Sequence, residues 1–115
     1  MPRDAAGLDA AAELFKVLSA PLRLGILEQL ADGERCVHEL VEALAAPQPL
    51  ISQHLRVLRG ARLVEGARRG REIAYALSDD HVGRIVRDLL LELKGRGVSV
   101  LLNSCLLYTS PSPRD

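Results

Sequence analysis

Apolar residues recur every three or four positions through most of the first sixty residues, which is the period of an amphipathic helix. Stretches with this period run from Leu8 to Leu18, from Pro21 to about Leu30, from about Val37 to Ala45 and from about Pro49 to Gly60. Ser19 stands where it can cap the second stretch, and Pro21 suits a first helical turn. The pattern therefore predicts four helices in succession.

The period changes after Gly60. Two short runs, Leu63–Glu65 and Ile73–Leu77, have the composition of strands, and the arginine-rich segment between them predicts a hairpin turn. A last helix is expected to begin near Asp79 and Asp80, whose charges suit a helix N-terminus. The prediction is a mainly α winged helix-turn-helix fold with a small β-hairpin wing, in the order α-α-α-α-β-β-α.

The fourth predicted helix carries the clearest functional signal. It follows Pro47-Gln48-Pro49 and begins with short polar side chains, with arginines behind them. A second helix that follows a tight turn and presents polar residues at its start is typical of a helix that enters the DNA major groove. This pattern favours a DNA-binding protein.

Charge is distributed unevenly although the chain is neutral overall. Positions 50–75 hold six arginines against two glutamates, a net charge of +4, and such local clustering is what phosphate binding requires.

No signal peptide and no apolar run of the ~20 residues needed to cross a bilayer is found, so we expect a cytoplasmic protein with no membrane contact. In that compartment Cys36 and Cys105 are not expected to form a disulfide. No nucleophile–base pair or glycine-rich phosphate loop is present, so an enzyme is not expected.

The order of these segments resembles the ArsR/SmtB family of metal-responsive repressors. The resemblance rests on ELFKVLSAPLRLGILEQL, ERCVHELVEAL, PQPLISQHLRVLRGARLV and GREIAYALSDDHV, and within the family it is strongest to actinobacterial zinc-sensing SmtB-type proteins. It implies a homodimer that binds double-stranded operator DNA with an inverted repeat and represses transcription until an inducer binds.

The resemblance also implies DNA contacts at the start of the fourth helix. Base contacts are expected from Gln48, Ser52 and Gln53, and the helix arginines are expected to meet phosphates. His54 is an additional candidate, although a helix-surface histidine is more often solvated. The full predicted set, including the wing tip, is Gln48, Ser52, Gln53, His54, Arg56, Arg59, Arg68, Arg69 and Arg71.

A first candidate zinc site lies on the last helix. The family's ligand positions fall on Asp79, His81 and Glu92, while the fourth position holds Gly95, which offers no ligand. His81 and Glu92 share a helix face but lie about 16 Å apart along the axis. A Zn²⁺ ion would therefore have to bridge two antiparallel helices of a dimer. The alternative is that the aspartates only cap the helix.

A second candidate site is Cys36, His38 and Glu39, at a position where family members carry metal-binding cysteines. Thiolate and imidazole suit zinc or a softer ion. Residues two apart in a regular helix point away from each other, so Cys36 and His38 converge only if Cys36 lies at an irregular first position. The alternative is that Cys36 is a small buried apolar residue.

Three functions remain open from the sequence. The first is a repressor released from its operator by a metal ion, with zinc as the expected cofactor. The second is a repressor of the same family with a decayed metal site, working constitutively or through oxidation of Cys36. The third is a winged-helix module used only for protein association.

The last eleven residues, CLLYTSPSPRD, differ in character from the rest. They resemble the translation of an adapter used to prepare sequencing libraries. We therefore expect one DNA-binding and dimerisation domain over 1–104 and an artefactual tail over 105–115.

Overall fold

A computed structural model describes residues 5–96 of the chain. Its elements, in chain order, are α1 (Ala5–Leu18), α2 (Pro21–Leu30), β1 (Arg35–Cys36), α3 (Val37–Leu44), α4 (Gln48–Gly60), β2 (Val64–Arg69), β3 (Glu72–Leu77) and α5 (Asp80–Arg96). The five predicted helices and the hairpin are all present, so the predicted winged helix-turn-helix fold is confirmed. The predicted tail over 105–115 lies outside the described residues.

The sheet has one more strand than the sequence predicts. Its order is β1-β3-β2, all antiparallel, and β1 pairs Arg35 with Tyr75 and Cys36 with Ala74. A strand of two residues is too short to show an alternating pattern, so local periodicity could not reveal it. β1 nevertheless ties the start of α3 to the wing, because Cys36 belongs to the strand and directly precedes the helix.

The hairpin is longer than predicted, and its turn is shorter. β2 and β3 remain paired as far as Arg69 and Glu72, which leaves only Gly70 and Arg71 in the turn. Gly70 has φ +67°, a conformation that glycine adopts without steric cost. The outer part of β2 is exposed on both faces, and for this reason its sequence lacks the alternation that marks a half-buried strand.

The core lies between the helices and the base of the wing. Its most deeply buried side chains come from α2, α3, α4 and α5; they are Ile26, Leu27, Leu40, Ile51, Leu55, Leu58 and Val86. Leu50 faces outward and is 38% exposed, although its spacing predicts an inward position. Arg87 fastens α5 to α2, donating to the carbonyl oxygen of Glu28 at 3.1 Å and pairing with Asp32 at 3.0 Å.

Two helices at the edge of the fold keep much apolar surface uncovered. In α1, Leu8 and Phe15 are 56% and 66% exposed, and in α5 Ile85 and Leu91 are about equally exposed. Apolar exposure on this scale is typical of a surface that another protein covers. No helix within residues 5–96 has both the length and the apolar character required to cross a bilayer.

One predicted helix cap is wrong. Ser19 does not cap α2: its hydroxyl donates instead to the carbonyl oxygen of Lys16 at 2.8 Å, and the N-cap position of α2 is Ala20. Ser19 therefore closes the end of α1, while α2 begins with Pro21, which needs no partner for a missing N–H.

Candidate nucleic-acid interface and metal site

A tight turn joins α3 to α4 and sets the angle between them. Ala45 takes the left-handed conformation with φ +52°, and its N–H donates to the carbonyl oxygen of Val41, which ends α3. Pro47 and Pro49 then flank the first residue of α4. This is the local geometry of a helix-turn-helix unit, with α4 in the position of the DNA-reading helix.

One face of α4 packs against the core, and the opposite face is exposed to solvent. Ile51, Leu55 and Leu58 are at most 1% exposed and fix the helix against the core. The opposite face carries the polar residues that the sequence singled out: Gln48, Gln53, Arg56 and Arg59 are exposed, and Ser52 is half-buried. Amide and hydroxyl groups at the start of an exposed helix can reach base edges, while the arginines behind them can meet phosphates.

His54 makes a contact inside the protein. Its Nδ1 accepts a hydrogen bond from Nε of Arg23 at 3.1 Å, which links α4 to α2. Partial burial, assisted by the positive charge of Arg23, lowers the pKa of His54 below its ordinary value. A neutral ring with one nitrogen already engaged serves the packing of α4, and only its other nitrogen is left for the predicted DNA contact.

The three wing arginines differ in their surroundings. Arg69 forms a bidentate ion pair with Glu34, in which Nε donates to Oε1 at 3.1 Å and Nη2 donates to Oε2 at 2.9 Å. Arg68 and Arg71 are exposed and have no ion pair with any residue in the described range. Among the three, the structure therefore presents Arg68 and Arg71 to solvent and engages Arg69 in holding the wing.

A groove of about 440 Å³ connects the reading helix with the wing. Its lining includes Gln48 and Ser52 of α4, His38 of α3, and Arg71 and Glu72 of the wing. Three of the predicted DNA-contacting residues thus share one depression with two potential metal ligands. Any change at those ligands would act directly beside the predicted DNA-reading surface.

The second candidate metal site is assembled with a different third ligand. One ligand atom each from Cys36, His38 and Glu72 lie within 4.8 Å of one another, and Nδ1 of His38 is 2.6 Å from Oε1 of Glu72. Glu39 is engaged elsewhere, since its Oε1 accepts the backbone N–H of Cys36 at 2.8 Å and caps α3. The carboxylate that converges with Cys36 and His38 is therefore that of Glu72 in the wing, and not that of the predicted Glu39.

The geometry explains why this set converges. Cys36 is the N-cap of α3 and has extended backbone angles. It therefore lies at the irregular first position that Cys36 and His38 need in order to approach each other. The β1–β3 register, Cys36 opposite Ala74, would place Glu72 opposite residue 38 if it continued for two residues. Glu72 was missed because this pairing joins positions far apart in the chain.

Thiol, imidazole and carboxylate form a donor set that suits zinc. Partial burial, followed by the negative charge of Glu72, raises the pKa of the Cys36 thiol. The thiol is therefore protonated at neutral pH, and an ion must displace that proton to bind sulfur. The same raised pKa opposes the reactivity that an oxidation sensor requires.

The terminal-helix residues are occupied by local contacts within one chain. Oδ1 of Asp79 accepts the backbone N–H of His81 at 2.8 Å, and Glu92 accepts from Arg96 at 2.7 Å. The described part of a single chain gathers three potential ligands only at Cys36, His38 and Glu72. A site at Asp79, His81 and Glu92 across two chains stays a prediction.

Comparison with known proteins identifies relatives of one kind. Residues 20–66 match the model of the bacterial regulatory protein, arsR family. The HTH-type transcriptional repressor SmtB of Mycobacterium tuberculosis is 56% identical over 81 residues, which cover 70% of this chain and 60% of that protein, so the match spans less than two thirds of its length. The HTH-type transcriptional regulator KmtR of the same organism is 40% identical over 76% of this chain and 68% of its own length.

A solved structure agrees with the sequence comparisons. The homodimeric winged helix-turn-helix DNA-binding domain from Mycobacterium bovis has a TM-score of 0.68 at 32% identity, covering 82% of this chain and 87% of that one. These relatives are transcription regulators rather than enzymes.

Proposed function

The chain belongs to the ArsR family of bacterial regulatory proteins, and we propose that it is a sequence-specific DNA-binding repressor that a metal ion releases from its operator. The observation that carries the proposal is the shared groove. There the start of α4 and the wing tip, which are suited to DNA, adjoin three converging metal ligands. The metal proposed is zinc.

DNA is read by α4 and held by the arginines. Gln48, Ser52 and Gln53 occupy the exposed start of the helix, where a glutamine amide can form paired hydrogen bonds to adenine. Phosphate contacts come from Arg56, Arg59, Arg68 and Arg71, and Arg69 contributes mainly by holding the wing in position.

The repressor acts as a homodimer on an inverted repeat. The exposed apolar residues of α1 and α5 supply a surface for a second copy of the chain. A two-fold dimer places two α4 helices about one turn of duplex apart, and this spacing requires a palindromic operator. The homodimeric relative from Mycobacterium bovis supports this arrangement.

We place the protein in the cytoplasm with its DNA, and we assign residues 1–104 to this single domain and 105–115 to adapter sequence.

Two sites are proposed for the metal, one in each chain at α3 and the wing, and one between chains at Asp79, His81 and Glu92. For release, zinc must bind the DNA-incompetent form more tightly. A ratio of about 10⁴ would move the equilibrium almost completely. A protein with decayed sites would instead stay on DNA regardless of zinc, and the raised pKa of Cys36 gives little support to the variant that responds to oxidation.

The test is a fluorescence anisotropy titration of a labelled operator, with and without zinc, at fixed salt. We expect zinc to weaken operator binding and a chelator to restore it. DNA binding that zinc leaves unchanged would refute metal control, and release by oxidant alone would favour the redox alternative. Absence of salt-sensitive binding to any duplex would refute the DNA function itself.

A further inference from the structure

We propose that Arg23 is a positioning residue for DNA recognition, which fixes the rotation of α4 about its own axis through a hydrogen bond to His54. This role rests on the proposed function of α4 in reading DNA. The bond itself belongs to the fold of one chain and can be measured without DNA.

Arg23 lies at a position that does not favour an arginine locally. It belongs to the first turn of α2, where the positive end of the helix dipole repels a guanidinium, and no acidic residue lies in that turn to offset the charge. Arg23 forms no ion pair with a carboxylate anywhere in the described residues 5–96. A side chain that opposes its own helix in this way points to contacts made with other elements.

Those contacts reach two other helices. Nη1 of Arg23 donates to the carbonyl oxygen of Val17 at 2.9 Å, in the last turn of α1, where unpaired carbonyls and the negative end of the dipole attract a cation. Nε donates to Nδ1 of His54 at 3.1 Å, in the middle of α4. Because the guanidinium is planar and rigid, the nitrogen held by α1 also orients the nitrogen that meets α4.

The partner on α4 has to be neutral. An imidazole nitrogen accepts a hydrogen bond only when it carries no proton, and a protonated His54 would face the positive Arg23 at 3.1 Å. The pKa of His54, lowered by burial and then by the charge of Arg23, agrees with a neutral ring. A neutral ring that accepts at Nδ1 carries its proton on Nε2, so the bond also selects one tautomer.

The bond supplies direction that the apolar anchors of α4 lack. Packing of Ile51, Leu55 and Leu58 holds the helix against the core, but apolar attraction is not directional, whereas a hydrogen bond requires a narrow range of distance and angle. Side-chain ends lie about 6 Å from a helix axis, so a rotation of about 10° moves them by about 1 Å. Such a shift breaks a paired hydrogen bond between Gln53, which directly precedes His54, and a base edge.

The DNA part is tested with a duplex that the wild-type protein selects from a random pool, and with the same duplex after its half-sites are scrambled. R23M removes the donors and the charge but keeps a long side chain. We expect R23M to lower the ratio of the two affinities by at least about 5-fold, as displacement of one paired base contact would. Binding to the scrambled duplex depends mainly on phosphates and should change little.

R87M is the matched control. Arg87 is also partly buried and also donates to a backbone carbonyl of another helix, but its partners, Glu28 and Asp32, lie outside α4. Its loss should therefore leave the ratio of the two affinities as in wild type. Urea denaturation establishes that each variant is folded under the binding conditions.

Two substitutions of His54 separate the bond from the bulk of the ring. H54N keeps an acceptor oxygen close to the position of Nδ1, whereas H54L has nearly the same size as H54N and no acceptor. We expect H54N to discriminate between the duplexes at least about 5-fold better than H54L. The double variant R23M/H54L should lose no more discrimination than either single variant, because both substitutions remove the same bond.

Nitrogen-15 NMR of the imidazole tests the bond in the absence of DNA. In wild type, His54 should carry its proton on Nε2 and accept at Nδ1. In R23M the pKa of His54 should rise toward its ordinary value, because a positive charge beside the ring is gone. R87M should leave both the tautomer and the pKa of His54 unchanged.

The outcomes separate this role from the proposed function. Discrimination by R23M equal to that of wild type, an equal loss in R87M, or no advantage of H54N over H54L would overturn the positioning role while the repressor function stood. A His54 spectrum that R23M leaves unchanged would overturn the role by showing that the bond does not form. A wild-type protein that prefers no duplex would instead refute the proposed function, and the role in recognition with it, even where NMR showed the bond.

Discussion

α4 and the wing both carry exposed arginines, yet different forces hold the two elements in place. α4 is anchored by three apolar side chains that are almost completely buried, Ile51, Leu55 and Leu58. The wing is buried only near its base, and further out polar contacts hold it, chiefly Arg69 with Glu34 and His38 with Glu72. Apolar packing depends little on ions, whereas exposed polar contacts are weakened by salt and exchanged for metal.

Under the proposed function, this difference suits the two regions to separate duties. A helix fixed by close packing keeps its side chains in register with base edges, which sequence recognition requires. A wing held by polar contacts can change position at smaller energetic cost than a helix held by buried apolar side chains. The two duties meet in the groove between them, where Gln48 and Ser52 face Arg71 and Glu72.

The largest effect is expected from removing an anchor of α4. Leu55→Ala deletes a side chain that is 1% exposed and leaves a cavity, so the free energy of unfolding should fall by about 2–5 kcal/mol. Val57→Ala is the matched control on the same helix, because Val57 is 37% exposed and its loss should cost under about 1 kcal/mol. Urea denaturation measures both, and similar losses would contradict the view that packing holds the reading helix.

A smaller effect separates reading from holding. Gln53→Ala should remove about 1–3 kcal/mol of discrimination between operator and altered operator. Arg68→Ala should weaken all sequences alike and lower the salt slope by about 1. Binding to both duplexes over a range of salt measures these effects. An equal loss of specificity from both substitutions would refute the assignment of α4 to reading and the wing to holding.

The same contrast explains how far the sequence could predict the structure. α4 was predicted within one residue at its start, because its buried face repeats with the helical period and its partners are local. β1 has no such period, and the third ligand of the Cys36 cluster lies 34 positions beyond His38. Closeness in the sequence favours Glu39, but strand pairing brings the carboxylate of Glu72 to Cys36 instead.

The smallest effect concerns the ion pair at the wing. Glu34→Gln keeps the shape of the side chain but removes its charge, and because Glu34 and Arg69 are 39% and 57% exposed the pair should contribute only about 0–1 kcal/mol to stability. Its loss should instead accelerate amide hydrogen exchange in β2 while exchange in α4 is unchanged. Glu65→Gln is the control, since Glu65 is exposed on the same hairpin and forms no ion pair within residues 5–96. Faster exchange in α4 as well would show that wing and reading helix move as one body, and the division between them would then be lost.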